Sequence, residues 1–232
     1  MRNPLIAVPI QESNLKKIEV ILKKKLPRVD AFEIWLDCLH RKYQKPEIIE
    51  NLTAKWKNLS KKILILVCKD GAEQGRFSGY ARHKVDLLLA ASRGGADFVD
   101  IGLHSGRKQI HKLRSSLKKT RLIISWHDFL KTPKFFRLEK IAKIMIDLGA
   151  DVVKIATQVE SVLENENLMK LALDLQKIHQ KHIIIGMGTL GVATRVFSRQ
   201  LGNEINFVAL YAETAPGQLT LEEALSFQKV LK

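Results

Sequence analysis

Ala150-Asp151-Val152-Val153-Lys154-Ile155-Ala156 is a short apolar, β-rich run with a single lysine in its middle. Ahead of it stands Ile141-Ile144-Met145-Leu148, and behind it Leu168-Leu171-Leu175-Ile178. Both flanking sets keep the three-to-four spacing of one helix face. A strand held between two amphipathic helices is the repeating unit of a parallel sheet. Such strands are buried on both faces, where an ammonium ion loses its hydration and gains nothing apolar. Burial lowers a lysine pKa, and a neutral amine near pH 7 is a nucleophile toward carbonyl carbon. The competing reading of Lys154 is structural: it pairs with a neighbouring carboxylate, or its amine snorkels to the strand end.

The same alternation runs through the whole chain. Strand patterns cover Leu5–Ile10, Ala31–Asp37, Ile63–Lys69, Ala96–Leu103, Arg121–His127, Asp151–Thr157, His182–Gly188 and Asn206–Tyr211. Helical stripes lie between them, beginning with Leu15-Ile18-Ile21-Leu22 and closing with Leu221-Ala224-Leu225. The stripe around Val192–Leu201 is the weakest of the series. Eight strand-helix units in 232 residues predict a (β/α)₈ TIM barrel, one domain over residues 1–232. A doubly wound open sheet is the runner-up. The barrel is favoured because polar, chemically capable residues recur at strand carboxyl ends, namely Asp37, Lys69, His127, Lys154 and Met187-Gly188. No Gly/Ser/Pro-rich linker divides the chain.

Composition narrows the function classes. No apolar stretch approaches the ~20 residues of a membrane span. Met1-Arg2-Asn3-Pro4-Leu5-Ile6 lacks the apolar core of a signal peptide. Cys38 and Cys68 make neither a disulfide framework nor a metal-type Cys/His cluster. These features fit a reducing cytoplasm. The net charge of +15 is compatible with a nucleic-acid partner or with attraction of small anions. The lysines are scattered over polar helix faces and loops, however, and aromatics at 6% do not interleave with them as a stacking platform requires. Solvated helix surface is the better reading, with no nucleic-acid partner expected.

Other residues carry weaker signals one by one. His127 ends the fifth strand in Ile124-Ser125-Trp126-His127-Asp128-Phe129 and is either a structural residue or an acid/base one strand away from Lys154. Glu73 lies in the loop after the third strand; a loop glutamate is ordinarily solvated, but near an imidazole it would fix the tautomer and raise basicity. Met187-Gly188-Thr189-Leu190-Gly191 reads as tight turning more readily than as a phosphate cradle. Thr214-Ala215-Pro216-Gly217-Gln218 is by itself a turn.

Taken in order, the blocks resemble the type I 3-dehydroquinate dehydratases of the shikimate pathway. They are Glu33-Ile34-Trp35-Leu36-Asp37, Glu73-Gln74-Gly75, Ser125-Trp126-His127-Asp128-Phe129, Asp151 to Ala156, Met187 to Gly191 with Thr194-Arg195, and Ala215-Pro216-Gly217-Gln218. The resemblance implies a (β/α)₈ barrel in the cytoplasm, a homodimer, no metal and no dissociable cofactor. It implies loss of water from 3-dehydroquinate, giving 3-dehydroshikimate for aromatic amino-acid biosynthesis. Lys154 would form a Schiff base with the C3 ketone, His127 would be base and then acid, and Glu73 would orient His127. Arg195 would pair with the substrate carboxylate, while Gln218 and the Thr214 hydroxyl take the remaining polar groups. Glu33, Trp35 and Lys69 fall on the family's other substrate-binding positions.

Four positions depart from that pattern. Trp35 and Lys69 stand where the family has arginines, Thr214 where it has serine, and Gly102 where it has an acid. Lysine keeps the charge but loses the fork. Trp35 is expected to leave Glu33 without its arginine partner. The competing functions are another class I Schiff-base lyase or aldolase on a TIM barrel, and a basic or inactive binding barrel.

Overall fold

The computed structural model describes residues 3–211 and 213–231. Met1 and Arg2 of the N-terminal reading lie outside them. The strands are β1 Leu5–Ile10, β2 Ala31–Trp35, β3 Ile63–Val67, β4 Phe98–Gly102, β5 Arg121–Asp128, β6 Val152–Gln158, β7 His182–Met187 and β8 Ile205–Phe207. Between them run α1 Leu15–Leu22, α2 Pro46–Ser60, α3 Ala81–Arg93, α4 Arg107–Ser116, α5 Phe135–Asp147, α6 Val162–Lys177 and α7 Val192–Val196. Helix α8, Leu221–Val230, follows β8. The strands form one sheet in the order β7-β6-β5-β4-β3-β2-β1-β8.

The chain divides into two compact units, Pro9–Ile123 and Met1–Val8 with Ile124–Lys232. Both division points fall inside a strand. In the first unit β2 and β3 pair in parallel from Ala31↔Ile63 to Trp35↔Val67. Strand β4 joins β3 at Ile65↔Phe98 through Val67↔Asp100. Ile34, Leu64, Leu66 and Val99 are fully buried, as a strand covered on both faces requires. Helix α2 starts on Pro46, whose missing N–H would have no intrahelical partner anyway, and ends on Lys61 in the left-handed region at φ 53°.

In the second unit β6 and β7 pair from Val153↔His182 to Gln158↔Met187. Strand β1 pairs β8 from Leu5↔Ile205 to Ala7↔Phe207. Helices α6 and α8 each begin with a capping box, Ser161 with Glu164 and Thr220 with Glu223.

Strand β3 stops at Val67 and not Lys69, and β4 spans Phe98–Gly102 and not Ala96–Leu103. Three further boundaries shift for reasons visible in the structure. Strand β2 stops at Trp35 and not Asp37, because Leu36–Cys38 turn into a 3-10 helix that points the Asp37 carboxylate at backbone N–H groups. Helix α7 is one turn and a half, not Val192–Leu201; Gly202, at φ 72°, ends the turns that follow it. Strand β8 spans three residues and not Asn206–Tyr211. Beyond Val208 the chain leaves the ladder for a local bridge, where the Ala209 N–H donates to the Leu219 carbonyl at 2.8 Å.

Candidate active site

Alternation along β6 puts Val153 and Ile155 on one face and Lys154 on the other. Lys154 is only 4% exposed, and its Nζ lies 4.6 Å from the centre of the Phe207 ring on β8. The electron-rich face of the ring offers a cation some compensation for lost water. His127 is near the end of β5, the strand adjacent to β6, and its imidazole stacks on Phe129 with centroids 5.7 Å apart and planes 3° from parallel. The loop after β5 is tied to the end of β6 by the Thr132 hydroxyl, 2.7 Å from both the Thr157 hydroxyl and the Gln158 carbonyl.

Arg195 sits on α7, 4% exposed. Among the described residues its Nε has no hydrogen-bond partner. Burial brings its pKa down to about 10, against the opposing pull of Glu213. A guanidinium in that condition calls for an anionic partner that presents two oxygens. Thr214 donates to Gln218 Oε1 twice, from its N–H at 2.8 Å and its hydroxyl at 2.9 Å, so the two residues form one local turn. Gly188 N–H donates to the Pro216 carbonyl at 3.1 Å, which seats that turn on the end of β7. The approach is too close for a side chain at 217, whose Cβ would lie 2.5 Å from the Gly188 oxygen. Gly186 and Gly191 likewise touch backbone to backbone. The glycine run after β7 thus serves close packing.

In the Pro9–Ile123 unit, Glu33 and Trp35 share a face of β2, and the Trp35 indole N–H donates to Glu33 Oε2 at 2.9 Å. This corrects the expectation that tryptophan would leave Glu33 without a partner: an indole has one donor, and here it is aimed at the carboxylate. Lys69 Nζ rests 4.3 Å above the centre of the Trp35 ring. Asp37, expected among the chemically capable strand ends, is instead a staple. Its two oxygens accept from Lys69 N–H at 2.9 Å and Arg76 N–H at 3.0 Å. Burial raises its pKa, and those backbone bonds offset only part of the rise.

Glu73 closes a 3-10 turn, Gly71–Glu73, and is buried, not solvated as a loop glutamate ordinarily is. Three neighbours escaped the sequence reading. Lys84 Nζ lies 2.7 Å from Asp70 Oδ2 and 3.8 Å from Glu73 Oε2, and His104 Nε2 lies 2.9 Å and 3.7 Å from the same two oxygens. Burial alone would raise the Asp70 pKa, but the bonds from Lys84 and His104 outweigh it and hold the carboxyl low. A signal for Lys84 was available: with Leu88 and Ala91 it makes an i, i+4, i+7 stripe on the buried face of α3. Asp70, Glu73 and His104 bring ligand-type atoms within 4.8 Å of one another, but the Lys84 ammonium already supplies the positive charge there. A Cβ at Gly102 would meet His104 Cε1 at 2.4 Å and Glu73 Oε2 at 2.7 Å. The acid expected at that position in the family is incompatible with this seat of the His104 ring.

Comparison with known proteins identifies the family. The family model described as "Type I 3-dehydroquinase" matches residues 6–232. The chain belongs to the type I 3-dehydroquinase family. The 3-dehydroquinate dehydratase of Methanosarcina mazei is 31% identical, over 95% of this chain and 96% of its own length. That of Coxiella burnetii is also 31% identical, over 98% of this chain and 93% of its own. The crystal structure of the type I enzyme from Clostridium difficile, with covalently modified comenic acid, superposes with a TM-score of 0.90 at 25% identity, covering 100% of this chain and 93% of that one. The fold class is the (β/α)₈ barrel, as the alternation predicted. No helix of the described residues is long and apolar enough to cross a membrane.

Proposed function

We propose that the chain dehydrates 3-dehydroquinate to 3-dehydroshikimate through a Schiff base on Lys154. Membership of the type I 3-dehydroquinase family makes it an enzyme of the hydro-lyase class. The observation that carries the mechanism is Lys154 itself, buried in mid-strand with an aromatic face against its amine. Its Nζ lone pair attacks the C3 ketone; the carbinolamine loses water and leaves a protonated imine. That imine is an electron sink, so the neighbouring C2 proton becomes acidic. His127 takes the proton and an enamine forms. The enamine electrons then expel the C1 hydroxyl, which leaves as water with the proton that His127 returns. Hydrolysis of the product imine frees Lys154.

Arg195 takes the substrate carboxylate, supported by its buried, unpartnered Nε. Thr214 and Gln218 take neighbouring polar groups. From the Pro9–Ile123 unit, Glu73 is assigned to orienting His127, and Glu33, Trp35 and Lys69 to substrate binding. Residence in the cytoplasm, a homodimer, a single domain and a biosynthetic role belong to the same reading.

Borohydride reduction in the presence of 3-dehydroquinate, followed by peptide mass spectrometry, tests it. The expected result is a ligand-sized mass on the Lys154 peptide, lost with all product absorbance in Lys154→Ala. His127→Ala is expected to slow turnover by at least about a hundredfold while Lys154 is still trapped. An adduct that persists in Lys154→Ala moves the nucleophile elsewhere.

A further inference from the structure

We infer that Trp35 is a positioning residue that holds two oppositely charged groups of the substrate site, Glu33 on its edge and Lys69 on its face. The inference rests on the assignment of Glu33 and Lys69 to substrate binding. An indole has two electrostatically different surfaces. The N–H edge is a positive donor and the ring face is negative. Both are engaged at once, with Glu33 Oε2 at 2.9 Å from Nε1 and Lys69 Nζ at 4.3 Å from the ring centre.

The register makes the arrangement. Glu33 and Trp35 are two apart on β2, so they share a face. Trp35 is opposite Val67 on β3, and Lys69 follows Val67 by two residues. The indole packs on Val67 and Cys38 in a buried cluster, which fixes its plane. The Lys69 backbone is held from both sides, its N–H donating to Asp37 at 2.9 Å and its carbonyl accepting from Phe77 N–H at 3.0 Å. The ammonium therefore reaches the ring from a fixed root. A family-type arginine at 35 would hold Glu33 with a charged fork. Tryptophan does it with one neutral donor and adds a seat for the lysine that replaces the second arginine. The two departures are one change.

Substitution separates the two jobs of the indole. Trp35→Phe keeps the ring under Lys69 and removes the N–H; Trp35→Leu removes both. For Trp35→Phe the expected result is a KM for 3-dehydroquinate raised on the order of tenfold, the weight of one hydrogen bond, with kcat within about twofold. Trp35→Leu raises KM further. In a Glu33→Gln background Trp35→Phe adds little, because the partner of the N–H has changed, and in a Lys69→Met background Trp35→Leu matches Trp35→Phe. Trp35→Arg restores a donor to Glu33 and recovers most of the KM loss. A purely structural tryptophan would lower melting temperature without splitting KM from kcat. Wild-type KM in Trp35→Phe, or independent effects of Trp35→Phe and Glu33→Gln, overturns the inference. If Trp35→Phe does not fold, Trp35→Arg decides, and a KM above that of Glu33→Gln overturns it. A wild-type chain that neither turns over nor traps 3-dehydroquinate removes the functional reading instead.

Discussion

Lys154 and Arg195 are both cations inside the protein, and they differ in what they need. A lysine can give up its charge, and the amine of Lys154 lies 4.6 Å from the centre of the Phe207 ring. An arginine cannot, so burying Arg195 costs stability that Glu213 offsets only in part and that the proposed substrate carboxylate would offset further. Replacing it with methionine, of similar length and no charge, is therefore expected to leave the melting temperature of the free protein unchanged or higher. The same variant should lose the thermal shift produced by product or another carboxylate ligand, worth about 2.7 kcal/mol at a hundredfold excess over Kd in the wild type. Differential scanning fluorimetry with and without ligand reads both effects, and an intact ligand shift in Arg195→Met would place the carboxylate elsewhere. Residue-scale chemistry was partly legible in advance. An amine in an apolar run is conspicuous; a loop glutamate such as Glu73 is not, because its burial depends on Lys84 and His104 arriving from other segments.

At the scale of elements, two helix starts have a local cause. Helix α6 starts where Ser161 and Glu164 exchange hydrogen bonds with the backbone, and α8 starts the same way at Thr220 and Glu223. Ser161→Ala should cost about 1 kcal/mol, or about 2–4 °C in melting temperature for a chain of this size, with Ser161→Asp close to wild type. A calorimetric scan checks it, and an unchanged melting temperature would mean that packing of α6 outweighs its cap. The boundaries that moved have distant causes. Strand β8 is short because residues after Val208 bond to a segment ten positions later, which no window of eight residues contains. Strand β2 ends early because Asp37 accepts N–H groups from residues 69 and 76.

For the whole molecule the dominant quantity is the net charge of +15. Charges of one sign repel in the compact state more than in the expanded one. Raising sodium chloride from about 10 mM to about 150 mM shrinks the Debye length from about 30 Å to about 8 Å. Melting temperature is expected to rise over that range, measured in a buffer of non-binding ions. A fall would mean that pairs such as Lys55–Glu19 and Lys112–Asp86, which salt weakens, outweigh the general repulsion.

By itself the sequence determined the alternation of eight strands with helices, because periods of two and 3.6 are local properties of the chain. It also singled out Lys154 and His127, the pair proposed for the chemistry, because each lies at a recognisable place on a strand. Only the tertiary structure decided that Trp35 bonds Glu33 and carries Lys69, that Asp37 is a staple, and that His104 sits in the space over Gly102. Those outcomes depend on which side chains meet across strand registers and chain reversals, and hydrogen bonds over a few ångströms are blind to distance along the sequence.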